Sequence, residues 1–132
     1  MISLGFVWLF WAGYPVQEPS SLQADLHLNE GQRWQLDEST RLQFEKIRSL
    51  LKAKPEENLA AYQEQAHQMW TAVQAMIQGC SMQGEAHNQL HHVLTELIPA
   101  IQTMQKSASL TEAQSVRSKI AAILGDVDRY FQ

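Results

Sequence analysis

The chain has 132 residues, of which 45% are hydrophobic, and a formal net charge of −4 at pH 7. This composition fits one folded domain and excludes a disordered chain, and the acidic balance without any lysine- or arginine-rich run argues against a nucleic-acid-binding protein. The single cysteine excludes an internal disulfide, the Cys-x-x-Cys-His attachment of c-type haem and a multi-cysteine zinc site within one chain.

The first 13 residues are a signal-like apolar segment. The run from Ile2 to Gly13 is too short to span a bilayer, which needs about 20 residues, but it has the length of a signal-peptide core. A basic start and a small-x-small cleavage site are missing, so a membrane-lying anchor and a buried first helix stay open as alternatives. We expect a periplasmic or secreted protein, with or without membrane attachment through this segment. Residues 14–25 are predicted to be a linker.

Residues 26–36 predict an extended or hairpin cap on the domain that spans residues 26–132. Two short stretches of alternating apolar and polar residues flank the turn signal Asn29-Glu30-Gly31. Because two strands alone are marginally stable, this cap must pack on another part of the domain, with Trp34 as its anchor.

Four helical patterns follow, each with one apolar face. Asp37 is a suitable N-cap for the first, and Ser109 with Glu112 forms a capping box for the fourth. Pro55 separates the first pattern from the second and suits the first turn of the latter, while Pro99 predicts a kink or a break in the third. The apolar faces comprise Leu36, Thr40, Phe44, Ile47, Leu51; Leu59, Tyr62, Ala66, Met69, Val73, Met76, Cys80; His87, Leu90, Leu94, Leu97, Ile101, Met104; and Ala113, Val116, Ile120, Ile123, Val127, Tyr130. Such helices with short loops predict an all-α, antiparallel up-down-up-down four-helix bundle.

The loop between the second and third predicted helices is where chemistry is expected. Cys80 is the last apolar-face position of one helix and His87 the first of the next, so both side chains should point inward at the same end of the bundle. His91 lies one turn beyond His87, and Met82 lies in the loop between the helices. A thiolate, a thioether and two imidazoles are ligands that select Cu(I), with Zn(II) as a competitor. The sequence thus predicts a non-catalytic, exported copper-binding protein that buffers the metal or passes it to an envelope protein partner.

Several alternatives remain open. A lone cysteine on a helix face is commonly a small buried hydrophobe, so a structural or partner-binding module without metal is the main alternative. A Cys80–His87 nucleophile pair lacks a recognisable orienting third group and oxyanion site. Haem without covalent attachment would need Met76 or Met82 paired with a histidine. A di-iron site needs Glu-x-x-His on two helices, and only the second helix offers one, ending at His67.

Two motifs carry a resemblance. Residues 28–34 read Leu-Asn-Glu-Gly-Gln-Arg-Trp, and residues 80–91 read Cys-Ser-Met-Gln-Gly-Glu-Ala-His-Asn-Gln-Leu-His. Together they resemble short exported bacterial proteins of uncharacterised function that share the patterns L-N-x-G-x-[KR]-W and C-x-M-x-G-x-A-H-x-x-L-H. The resemblance implies an exported helical bundle in which Asn29, Gly31 and Trp34 belong with Cys80, Met82, His87 and His91. If the cap closes over those residues, Trp34 fluorescence should respond to a metal bound there.

Overall fold

The computed structural model describes residues 21–132, which fold into helices that pack on one another. The helices are α1 (Ser21–Asp25), α2 (Glu38–Lys52), α3 (Leu59–Gly79), α4 (Gly84–Gln105) and α5 (Leu110–Tyr130). From α2 onward each helix packs on the next; α5 also contacts α2 and α3, and α1 lies against α4 and α5. The all-α class is therefore confirmed for these residues. The signal-like segment and most of the predicted linker lie outside them.

The predicted apolar faces form the core. On α3 the buried positions of the predicted face are Tyr62, Ala66, Met69, Val73 and Met76, and on α4 they include Leu90, Leu97, Ile101 and Met104. Leu59, Cys80, His87 and Leu94, which belong to the same two predicted faces, are only half-buried. These faces are thus buried along most of their length, with Leu59 half-buried at the start of α3 and Cys80 and His87 half-buried beside the α3–α4 loop.

The helix starts follow the capping residues in the sequence. The Asp37 carboxylate accepts a 2.8 Å hydrogen bond from the Thr40 amide, and Ser109 Oγ accepts one of 3.1 Å from the Glu112 amide. Asn58 caps α3, so Pro55 lies in the connection before this helix and not in its first turn. Pro99 does not break the third predicted helix, because α4 continues through it.

Residues 26–36 contain a tight turn but little further strand pairing. Asn29 and Gln32 exchange two backbone hydrogen bonds of 2.7 and 3.0 Å. The two central residues, Glu30 and Gly31, both have positive φ, as in the type I′ turns that join hairpin strands. Glycine adopts positive φ without the steric cost that a side chain brings. The turn therefore explains why the motif has glycine at position 31.

Beyond the turn, the segment pairs with the end of α5. The Trp34 amide donates to the Tyr130 carbonyl at 2.8 Å, and the Gln132 amide donates to the Trp34 carbonyl at 2.9 Å. The Leu36 amide then donates to the Gln132 carbonyl at 2.9 Å. The result is a short parallel pairing between two segments that lie near opposite ends of the described chain.

A partly buried polar network holds the C-terminal end of α2. Gln65 donates to the carbonyls of Leu50 and Ala53 at 2.7 and 2.8 Å. Arg117 donates through Nε to Gln65 Oε1 at 2.7 Å and through a terminal nitrogen to the Leu51 carbonyl at 2.8 Å. The last carbonyls of a helix have no partner within it, so α3 and α5 supply the donors that α2 lacks.

The part of the predicted linker that the structure describes is helical. In α1, Leu22 is fully buried, and Leu26 just after it is also buried. Gln23 donates to the buried carboxylate of Asp126 on α5 at 2.8 Å. The polar and proline-rich composition before residue 21 led to the linker prediction, whereas Leu22 and Leu26 belong to the core. None of the helices within residues 21–132 is long and apolar enough to cross a membrane.

Candidate metal site between α3 and α4

The connection between α3 and α4 is short and is fixed at both ends. Cys80 is the C-cap of α3, and Gly84 opens α4 with a φ of 69°, which favours glycine at this position. The Ser81 amide and hydroxyl both donate to the second oxygen of the Asp37 carboxylate, at 2.6 and 3.0 Å. One carboxylate thus caps α2 and holds the residue that follows Cys80.

This double role shifts the pKa of Asp37. Burial alone would raise the pKa of the carboxyl, but the hydrogen bonds from Thr40 and Ser81 outweigh burial and lower the pKa to about 2. Hydrogen bonds to an ionised carboxylate favour its charged form. The sequence predicted the N-cap role, but the contact with Ser81, 44 positions away, had no signal in the local pattern.

Cys80, His87 and His91 form a row. The Cys80 sulfur lies 4.0 Å from His87 Nδ1, and the opposite nitrogen of that ring, Nε2, lies 2.9 Å from His91 Nε2. The two imidazoles meet edge to face, with centroids 4.4 Å apart. His87 is half-buried and His91 is exposed. The ring of His87 therefore stands between the thiol and His91.

The row also restricts the proton positions. Only one of two neutral imidazole nitrogens can donate to the other, so either His87 or His91 carries the proton at Nε2. If His87 is the donor, its Nδ1 is unprotonated and presents a lone pair towards Cys80. This is the tautomer that a metal ion between Sγ and Nδ1 requires.

A cavity of about 380 Å³ opens beside the row. Besides Cys80 and the two histidines, its walls are mostly apolar and come from α3 and α4: Met76, Ile77, Leu90, Leu94, Thr95, Ile98 and Pro99. The Thr95 hydroxyl donates to the His91 carbonyl at 2.8 Å. Thiol and imidazole thus border a mostly apolar space, one of whose lining residues, Ile77, is half-exposed.

The other predicted site residues are placed differently. Met82 is half-buried and packs against the core, but it does not line this cavity. His92 is exposed, and His67 is an exposed neighbour of Gln105, at 3.4 Å. The sequence pattern did not assign a role in the metal site to Met76, which does line the cavity.

Residues 26–36 contact the start of α4. The His27 amide donates to the side chain of Gln89 at 2.9 Å, and the His27 ring lies 3.0 Å from the Glu85 carboxylate. Trp34 donates through its indole to the His27 carbonyl at 2.6 Å. The Leu28 carbonyl and the Glu85 carboxylate raise the pKa of His27, and hydrogen bonds from Asn88, Gln89 and His27 lower that of Glu85. The first motif is therefore linked to the second only indirectly, because Trp34 bonds the backbone of His27, which lies just before the motif and contacts Glu85 and Gln89.

Across residues 21–132, no group of three or more His, Cys, Asp or Glu side chains is arranged to hold a metal ion. The Cys80–His87 pair would need a donor of another type to exceed two protein ligands. Comparisons with protein-family models, curated proteins and solved structures find no match for this chain.

Proposed function

We propose that the protein binds a soft metal ion, Cu(I) in preference to Zn(II), between Cys80 and His87. The observation that carries the proposal is the 4.0 Å separation of Cys80 Sγ and His87 Nδ1. Metal–sulfur and metal–nitrogen bonds of about 2.3 and 2.0 Å would place one ion between these atoms with an S–metal–N angle of roughly 135°. This angle suits an ion with two or three ligands, and thiolate with imidazole is a ligand set that Cu(I) accepts.

The role proposed is non-catalytic, namely to hold copper in the cell envelope and exchange it with a protein partner. The apolar residues 2–13 and the resemblance to exported proteins support this location. The four long helices are taken as an antiparallel up-down-up-down bundle with residues 26–36 as its cap, which the short connections between neighbouring helices support. The proposed ligands Cys80 and His87 come from two neighbouring helices, and the cavity beside them leaves a path for the metal.

A competition titration tests the proposal. Reduced protein is titrated with Cu(I) against a coloured Cu(I) chelator. We expect one equivalent to be held tightly, and we expect Cys80→Ala and His87→Ala each to lower the affinity by at least about a hundredfold, because a two-ligand site does not survive the loss of either ligand. His92→Ala, an exposed histidine on the same helix, is the matched control and should leave the affinity unchanged. Failure of the unmodified protein to compete with the chelator would refute metal binding.

A second prediction concerns His91. If its Nε2 accepts a hydrogen bond from His87, then His91→Phe should weaken Cu(I) binding about tenfold, as is usual when the partner of a ligating histidine is lost. His91→Gln, which keeps an acceptor, should lose less. The same titration measures both variants, and nitrogen NMR of the His87 ring reports its tautomer. A loss for both variants as large as that of His87→Ala would instead make His91 a direct ligand.

A thiol nucleophile is a second candidate, favoured by one observation. His91 is placed to orient His87, so that a Cys–His–His row exists where the sequence offered only a pair. An acyl-transfer site also needs donors for a developing oxyanion. The cavity-lining side chains other than this row are apolar, apart from Thr95, whose hydroxyl is already engaged. Metal binding is preferred because it needs no such donors.

The structural or partner-binding alternative is supported by exposed apolar side chains. Leu42 is 49% exposed and Ile77 50%. Leu42 lines a groove of about 590 Å³ between α2 and α3, whereas Ile77 borders the cavity between α3 and α4. The two belong to different surface depressions, and single exposed apolar residues are common on soluble domains. The Cys80–His87 geometry is the more specific feature.

A further inference from the structure

We infer that the sulfur of Met76 is the third metal donor and the residue that makes the site select Cu(I) over Zn(II). The inference rests on the proposed function and changes its ligand set. From the sequence, Met82 was the expected thioether. In the structure Met76, and not Met82, lines the cavity together with Cys80 and His87.

Helix geometry brings Met76 close to Cys80. Residues four apart on a helix lie on the same face, with Cβ atoms about 5–6 Å apart. Met76 is in the last turns of α3, and Cys80 is the residue that ends this helix. Thioether and thiol therefore approach the cavity from the same side, and His87 approaches it from α4. A methionine side chain has three rotatable bonds and can move its sulfur without a shift of the backbone.

The surroundings favour an uncharged donor. Met76 is fully buried, and its cavity neighbours Leu90 and Leu94 are apolar. A carboxylate or a second thiolate would bring an uncompensated charge into this space, whereas a thioether brings none. Thioether sulfur binds Cu(I) well and is a poor ligand for Zn(II), which takes thiolate, imidazole and carboxylate. The neutral Met76 sulfur can thus complete the ligand shell of Cu(I), whereas Zn(II) at the same site would lack ligands.

The test is Met76→Leu, a substitution that nearly preserves volume and replaces the thioether by a branched alkyl group without a metal donor. We expect Cu(I) affinity to fall at least about tenfold, with Zn(II) affinity changed by less than about twofold. Met69→Leu is the matched control, because Met69 is equally buried on the same helix but does not line the cavity. Met82→Leu tests the competing thioether. Both should bind Cu(I) as the unmodified protein does, and circular dichroism melting checks that all three variants fold.

The outcomes separate the two proposals. An unmodified protein that holds no Cu(I) refutes the function itself. A protein that holds Cu(I) through Cys80 and His87, with an affinity unaffected by Met76→Leu, overturns the assignment of Met76 alone. A selective loss in Met82→Leu overturns it as well. X-ray absorption at the copper edge adds an independent reading, because Met76→Leu should remove one of two sulfur neighbours.

Discussion

Replacing Arg117 by methionine is expected to lower the free energy of unfolding by about 3 kcal/mol. The substitution keeps the apolar stem but leaves Gln65 Oε1 and the Leu51 carbonyl without the donors they now have. A buried acceptor that loses its partner costs about 1–3 kcal/mol, and here two partly buried acceptors lose a charged donor together. Urea unfolding followed by circular dichroism measures the change.

Two further substitutions make this result specific. Lys119→Met removes a positive charge from an exposed position of the same helix and should change stability by less than about 0.5 kcal/mol. Arg117→Lys keeps the charge but cannot present the same fork of donors, so a partial loss is expected. Equal stability of Arg117→Met and Lys119→Met would show that the network contributes nothing measurable.

Asp37→Ala should destabilise the protein by about 2–4 kcal/mol, because it removes the N-cap of α2 and both bonds to Ser81. Asp37→Asn retains a capping acceptor but brings an amide towards the Ser81 amide, so it should fall between alanine and the unmodified protein. The loss of the Ser81 bonds should also loosen the backbone next to Cys80. Urea unfolding at pH 7 gives the stabilities of both variants.

The same carboxylate predicts a pH dependence. The pKa of Asp37 is lowered on folding from 3.8 to about 2, so the unfolded chain binds more protons than the folded one between these values. Its stabilising contribution, about 2 kcal/mol, is therefore present above pH 4 and lost as the pH falls towards 2. Asp37→Asn should lack this component, whereas Glu45→Gln, an exposed change on the same helix, should retain it. Identical acid-unfolding profiles of the unmodified protein and Asp37→Asn would contradict the assignment.

The core was predictable because its signal is local. The apolar face of the second predicted helix repeats at helical spacing from Tyr62 to Met76, and each residue of this face between them is buried. The caps Asp37 and Ser109 are equally local, since each bonds an amide three residues ahead. The pairing of Cys80 with His87 also follows from local spacing, because the two residues flank one short loop.

The features that could not be predicted from the sequence depend on contacts between residues far apart in the chain. Arg117 reaches Gln65 from 52 positions away, and no periodicity marks either residue as a partner of the other. The predicted hairpin is limited to one turn, and the backbones of Trp34 and Leu36 pair with the end of α5 instead. The place of Met76 beside the cavity had no signal in the sequence for a related reason. Met76 reads as a core residue from its spacing, and only the packing of α3 on α4 shows that it also borders a cavity.

The backbone pairing of Trp34 and Leu36 with Tyr130 and Gln132 has a consequence for the order of folding. These contacts join parts of the chain almost a hundred residues apart, so residues 34–36 cannot reach their native place on a ribosome until α5 has emerged. Closure of so long a loop carries a large entropic cost and belongs to the late steps of folding. Trp34 should thus be among the last side chains to find its native environment.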